Sequence, residues 1–386
     1  MIDKNAVSLS SEQERKNQIR TTTVSRQQKR KDEQMIVITK ESKVSFTRDL
    51  IVRPPTMNDL EATVDLFETV SRHIIGVSDV SLADVRMEWQ EPKFDLEKST
   101  RIVVDPNAIS NGSSDGKVVG YIEVWDNNKL PVSIWVWGRV HPDYERLGIG
   151  TSLMEWAEQR ASQAISRVPD DLQIVMESGT YHIYQPCHDL FRSMGMELVR
   201  HFLTMSIELD NRPSGPNWPG SITIRTYESE AEAEAVLKAL LDSFQDHWGY
   251  VEQPFEERYE RWLHMIRNSE DFDPSLWFLA MDGDEIAGLS LCWPKANEDP
   301  DMGWVGTLGV RRSWRRRGLG LALLHHSFNE FHKRGKARVG LGVDAKSLTG
   351  ATGLYEKAGM KAMPERQFDT YRLVLRPGRD ITRQEI

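Results

Sequence analysis

Arg315-Arg316-Arg317-Gly318-Leu319-Gly320 decides how this chain is read. It follows the strand-like run Trp304-Val305-Gly306-Thr307-Leu308-Gly309-Val310 and opens an apolar helix. Two glycines let a backbone curl closely around an anion, and a helix that begins at once adds unpaired amides and the positive end of its dipole. Three arginines supply counter-charge, so the turn is expected to hold a phosphate group. The arrangement recurs upstream as Val140-His141-Pro142-Asp143-Tyr144-Glu145-Arg146-Leu147-Gly148-Ile149-Gly150, again between a strand and an apolar helix.

The repetition extends beyond the turn. Gly148 and Gly318 are 170 residues apart, Arg53 and Arg225 are 172 apart, and Gly195 and Gly359 are 164 apart. Self-similarity at a nearly fixed offset marks a tandem repeat. In the first copy Leu50 to Arg53 reads as a strand, Leu60, Val64, Phe67 and Val70 fall at helical spacing behind Asp59 as a cap, and Val118–Trp125 and Ser133–Trp137 read as strands. In the second, Ser221–Arg225 reads as a strand and Ala235, Leu237, Leu240, Leu241 and Phe244 line a helix. Leu276–Met281, Glu285–Leu291 and Gly303–Val310 follow as strands. Each copy continues with the glycine turn, a long helix, a strand, a short helix and a final strand pair. The Pro/Gly-rich stretch 211–220 is a linker. The expected organisation is a tail over 1–45, copies over 46–210 and 221–377, and a tail over 378–386.

With 386 residues, 39% hydrophobic and 28% charged, the chain has room for two globular domains with their own cores. The formal net charge of −9 argues against a dedicated nucleic-acid binder. The first 45 residues, polar and of mixed charge around Arg26–Glu33, read as disordered, with a nucleic-acid-touching arm as the rival. Cys187 and Cys292 are the only cysteines and have no metal-ligand spacing, so neither a disulfide framework nor a metal is expected, and a reducing cytoplasm fits. No run approaches the roughly 20 apolar residues that span a bilayer, and no membrane partner is expected.

A strand, an RxxGxG turn, a helix, a strand and a helix carrying Leu-Tyr-x-x-x-Gly-Met together resemble the GNAT superfamily of acyl-coenzyme A dependent N-acyltransferases. Both copies share the likeness. In the second copy it rests on Val310, Arg315, Gly318 and Gly320, then on Val343–Ser347, Gly350-Ala351 and Leu354-Tyr355-Glu356-Lys357-Ala358-Gly359-Met360. The tandem layout, with Phe244–Tyr250, is most similar to the mycothiol synthase-like branch. The resemblance implies two α/β domains (α+β), each a mixed, mostly antiparallel sheet flanked by helices. Acetyl-coenzyme A is the implied co-substrate. Its pyrophosphate would lie on Arg315, Arg316, Arg317, Gly318, Leu319, Gly320 and Leu321, and its pantetheine along Leu308, Gly309 and Val310. Those strand amides would also polarise the thioester carbonyl. Tyr355 is implied as the acid that protonates the departing thiolate. Ser347 stands where the family often has Asn and could hydrogen-bond the pantetheine or orient the next helix.

The first copy departs at both points. Glu145 replaces Arg315, which disfavours a pyrophosphate, and Phe191 replaces Tyr355 and has no proton to give. It is therefore expected to be structural or to build the acceptor site. Asp246, His247 and Glu298 are candidate bases. Trp248 and Trp277 could border an acceptor cleft, and His325 and His326 read as packing residues. The expected reaction is acetyl transfer to a primary amine of a small molecule by direct attack. A longer acyl donor, a protein amine, or a non-catalytic acyl-coenzyme A sensor or scaffold stand as alternatives. The two copies could pack as a pseudo-dimer in a monomer, or the chain could form a homodimer.

Overall fold

The strands of both copies join in one twelve-stranded sheet. The computed structural model describes residues 49–108, 116–347 and 350–382; the tail expected over 1–45 lies outside them. The first copy supplies β1 (Ile51–Arg53), α1 (Leu60–Ile75), α2 (Leu82–Trp89), β2 (Thr100–Asp105), β3 (Lys117–Trp125), β4 (Ser133–Val140), α3 (Ile149–Ser162), β5 (Ile174–Tyr181), α4 (Gln185–Ser193) and β6 (Glu197–Glu208). The second supplies β7 (Thr223–Thr226), α5 (Ala233–Phe244), α6 (Phe255–Asn268), β8 (Trp277–Asp282), β9 (Glu285–Trp293), β10 (Met302–Val310), α7 (Leu319–Lys333), β11 (Arg338–Asp344), α8 (Ala351–Lys357) and β12 (Lys361–Arg376).

Helices cover both faces, because each contributes one apolar stripe. In the first copy Leu60, Val64, Phe67 and Val70 of α1 pack with Ile102 and Tyr121 on one face. Ile149, Leu153, Ala157 and Ala161 of α3 pack with Ile122, Val136 and Met176 on the other. The second copy repeats this with Val236 and Ala239 of α5, and with Leu323, Phe328 and Phe331 of α7. Asp59 sits at the start of α1, but its carboxylate turns back to accept from Thr56 N at 2.7 Å and pairs with Arg53. Arg225 repeats that tie with Glu232 at 2.7 Å.

The strand order is β1-β2-β3-β4-β5-β12-β6-β11-β10-β9-β8-β7. The copies have exchanged their last strands. β12 pairs antiparallel with β5 from Phe368 opposite Tyr181 to Arg376 opposite Ile174, and β6 pairs with β11 from Arg338 opposite Glu208 to Asp344 opposite Phe202. The ranges 46–210 and 221–377 are thus segments of sequence, each completed by a strand of the other. Arg372 of β12 donates through Nε to Glu177 of β5 at 2.8 Å, both about 9% exposed. Within the range expected as the C-terminal tail, Arg379 N donates to Asp171 O at 2.7 Å and Gln173 N donates back to Arg379 O. Among the described residues no helix is long and apolar enough to cross a membrane.

Candidate active site

The glycine turn is built as its sequence requires. After β10 a short 3-10 turn, Arg312–Trp314, leads to Arg316 at φ 63° and Gly318 at φ 89°, and α7 starts at Leu319. Left-handed residues interspersed with right-handed ones aim successive amides into one concavity, a nest for an anion. Arg316 holds that conformation without being glycine, a strain that persists where surrounding structure imposes it. The first-turn amides of α7 have no partner within the helix. The first copy reproduces the backbone, with Arg146 at φ 59° and Gly148 at φ 83°. Its anion geometry is thus intact, and the difference between the copies lies in side chains.

Arg315 is not poised over the turn as its place in the motif implies. Its guanidinium grips Asp246 with both Nη atoms, donates through Nη2 to Ser243 O at 2.9 Å, and through Nε to Val310 O at 3.0 Å. It is a strut joining the turn to the end of α5. Arg316 and Arg317 are exposed and carry the turn's outward positive charge.

Upstream of the turn two parallel strands part. β10 pairs with β11 only from Met302 to Trp304, opposite Arg338 to Gly340. Beyond that point they splay around a cleft of about 220 Å³. Arg311 N donates to Ala287 O of β9, so in the alternating ladder Leu308 and Val310 turn their backbone groups away from β9, toward the splay. β10 also carries a bulge: Val305 pairs with Cys292 and Thr307 with Leu291, leaving Gly306 unpaired. A bulge re-aims backbone groups next to a site. A Cβ at that position would lie 2.5 Å from Trp293 Nε1, so a side chain there requires the bulge or the indole to shift.

Of the residues expected to bind or catalyse, Leu308, Ser347 and Tyr355 line this one cleft. Tyr355 is 8% exposed, and burial pushes its hydroxyl pKa up to about 12, so it keeps its proton at neutral pH. Gly309 packs against α5 instead, a Cβ there meeting Ser243 Cβ at 3.0 Å, and Leu319 is buried in the core. Gly320 brings α7 close to α8, its added Cβ falling 3.2 Å from Leu354. Asp246 and His247 both line the cleft, but in different states. Hydrogen bonds from Arg315 hold the Asp246 carboxyl below its ordinary value, whereas burial lowers the His247 pKa and favours its neutral form. Glu298 lies on the β9–β10 connection, outside the cleft lining.

Trp248 borders the cleft, and the guanidinium groups of Arg200 and Arg372 lie over its ring at 4.8 Å and 5.2 Å from the centroid. Trp277 does not; it is 1% exposed among Tyr227, Trp262 and Phe272. His326 packs on Phe278 with ring centroids 4.6 Å apart. Two lining features escaped the sequence. Gly306 gives no sign of a bulge, although Val305-Gly306-Thr307 breaks the β-branched run. Phe202 belongs to β6 and reaches the second copy's cleft only through the strand exchange.

The first copy has a larger cleft, about 370 Å³, lined by Val140, Glu145, Arg146, Gly148 and Phe191. Glu145 accepts a hydrogen bond from the Tyr184 hydroxyl, Phe191 is 3% exposed against Tyr371, and β3 pairs with β4 from Gly120 to Trp125 without a bulge.

Residues 76–173 and 234–360 match the family model described as Acetyltransferase (GNAT) family. The chain belongs to that family, carries its fold twice, and is an acyltransferase. It is of the tandem, mycothiol synthase-like kind. The mycothiol acetyltransferase of Streptomyces scabiei is 27% identical over 249 residues, 63% of this chain and 72% of that protein. That of Mycolicibacterium vanbaalenii is 29% identical over 232 residues, 58% and 70% of the two chains. A GCN5-related N-acetyltransferase from Sphaerobacter thermophilus superposes with TM-score 0.66 at 32% identity, covering 86% of this chain and 98% of that one. A tandem GNAT protein from the clavulanic acid biosynthesis pathway, 16% identical, shares the fold with TM-score 0.61, covering 86% and 100%.

Proposed function

We propose that the chain moves an acetyl group from acetyl-coenzyme A to a primary amine of a small molecule, with the chemistry in the second copy. The observation that carries this reading is the convergence on one cleft of the unpaired Gly306 bulge, the outward backbone of Leu308 and the buried Tyr355. The pyrophosphate lies on the nest and first-turn amides from Arg316 to Leu321, and Arg316 and Arg317 screen its charge. The pantetheine extends along Leu308 and Val310 as an added strand, and Ser347 flanks it. Amides around the bulge polarise the thioester carbonyl as negative charge develops on its oxygen.

His247, neutral through burial, takes a proton from the incoming ammonium, directly or through water. The amine nitrogen attacks the carbonyl carbon, the carbon–sulfur bond breaks, and the thiolate takes the Tyr355 proton. The nitrogen's surplus proton passes to the Tyr355 oxygen, directly or through water, the amide and the free thiol leave, and His247 releases its proton to solvent. The first copy, lacking bulge and tyrosine, does not turn over. Mycothiol acetyltransferases among the relatives make a thiol-bearing amine the first acceptor class to try. Thiol release from acetyl-coenzyme A across a panel of small amines and lysine-containing peptides tests the proposal. Saturable acetyl-coenzyme A binding with no thiol release for any amine of the panel would favour a sensor.

A further inference from the structure

Three polar residues distant in sequence meet at the seam of the exchanged strands. His182 follows β5, His201 lies on β6 and Asp369 lies on β12. The Nδ1 atoms of His182 and His201 stand 2.7 Å from the two carboxylate oxygens of Asp369, one on each. The three ligand atoms lie within 4.8 Å of one another.

The fold does not require this grouping. Asp369 stands opposite Thr180 and His201 in the ladder. The counterpart of Thr180 is Asp344, at the same 164-residue offset that relates Gly195 to Gly359, and Asp344 stands opposite Phe202, which faces Phe368. Where one half of the β6–β12 seam pairs Asp369 with His201, the symmetric half pairs two phenylalanines.

Asp369 is 1% exposed, and a buried carboxylate is strongly unfavourable unless its charge is met. Among the described residues its ion-pair partners within 4.0 Å are His182, His188 and His201, with no Arg or Lys. We propose that His182, His201 and Asp369 form a binding site for a divalent transition-metal ion, zinc being the fitting choice for two imidazoles and one carboxylate.

Zinc bonds nitrogen and oxygen at about 2.0–2.2 Å, so tetrahedral ligands stand about 3.3 Å apart. Each present 2.7 Å contact opens by roughly 0.6 Å to admit the ion. Imidazole nitrogen selects against magnesium and calcium. The His182 side chain is 54% exposed and that of His201 36%, which leaves an entry path and room for water to complete the coordination. Supporting contacts are in place. Gln367 Nε2 donates to Asp369 Oδ1 at 3.1 Å. His188 Nε2 donates to the His182 carbonyl at 3.0 Å, and its Nδ1 accepts from the Tyr371 hydroxyl at 2.9 Å. Such outer contacts orient the groups that bind the metal. The bound ion would tie segments of both copies together.

The test uses the full chain stripped by chelator. Zn²⁺ is titrated calorimetrically, and Co²⁺ is followed by its visible absorption. One ion per chain is expected, with a tetrahedral Co²⁺ spectrum and a melting temperature that rises with Zn²⁺. His182→Gln/His201→Gln should weaken binding at least about 100-fold, since even supporting residues account for about 10–100-fold. His325→Gln/His326→Gln should leave it unchanged. His182 is half exposed, so His182→Gln alone reports on the site if the double variant misfolds. Failure of stripped wild type to bind one Zn²⁺ saturably, or binding unaltered in folded His182→Gln/His201→Gln, overturns the proposal.

Discussion

Arg315 and Asp246 meet through both Nη nitrogens and both carboxylate oxygens, across 69 residues of sequence. The arginine that the motif assigns to phosphate thereby fixes the distance between the glycine turn and the end of α5. Asp246→Asn leaves a guanidinium only 23% exposed without its counter-charge, and should lower stability by about 1–3 kcal/mol. The Arg315 hydrogen bonds hold the Asp246 carboxyl below its ordinary value. Its contribution is therefore complete above the unfolded aspartate value and is lost as pH falls through the lowered folded one. Melting curves of wild type and Asp246→Asn should differ at pH 6 and converge toward pH 3. A gap that stays constant with pH contradicts the assignment.

Tyr355→Phe removes the proton and almost nothing else, since the ring remains in its buried place. Turnover should fall by about 10²- to 10⁴-fold with the acetyl-coenzyme A affinity little changed. Single-turnover thiol release beside equilibrium binding separates the two. An unaltered chemical step would remove Tyr355 from the mechanism.

The pH–rate profile should have an acid limb from His247. Burial lowers its pKa below the ordinary histidine value of about 6.5, so the base is neutral and active at pH 7 and is lost as pH falls through the lowered value. His247→Gln should flatten that limb and slow the reaction. A limb that survives unchanged in His247→Gln belongs to another group.

Gly306→Val puts a side chain where Trp293 Nε1 already stands. The bulge must shift or the indole must move, and turnover should drop by at least about 10²-fold, comparable with loss of an oxyanion donor. The equivalent region of the first copy has no bulge. Gly138→Ala in β4 should therefore leave turnover intact even if it lowers stability. Steady-state kinetics beside a melting curve distinguishes the two variants.

Much of this was legible in the chain. The glycine turns announced themselves because left-handed positions and helix starts have local chemical requirements, and the repeat followed from their spacing. Tyr355 and Ser347 were reachable through the motif that follows β11. The role of Arg315 was not, because its partner Asp246 lies on another element and only packing chooses between a phosphate and a carboxylate. Phe202 and the contacts of Arg200 and Arg372 with Trp248 were hidden for a related reason: strand pattern gives direction and face but not which neighbour a strand chooses. A sheet that runs β5-β12-β6-β11 has the same hydrophobic periodicity as two separate sheets. His182, His201 and Asp369 were invisible as a group because no short spacing links them.

The strand exchange also sets a timetable for synthesis. The ribosome releases β5 nearly 200 residues before β12, its neighbour in the sheet, so the inner edge of the first copy stays unpaired while most of the second is still being made. β6 likewise waits for β11. An unpaired edge is a template for unwanted association, and long-range pairings form slowly. Neither half can close alone as the nascent chain emerges; both close together, once the last strand is free of the exit tunnel.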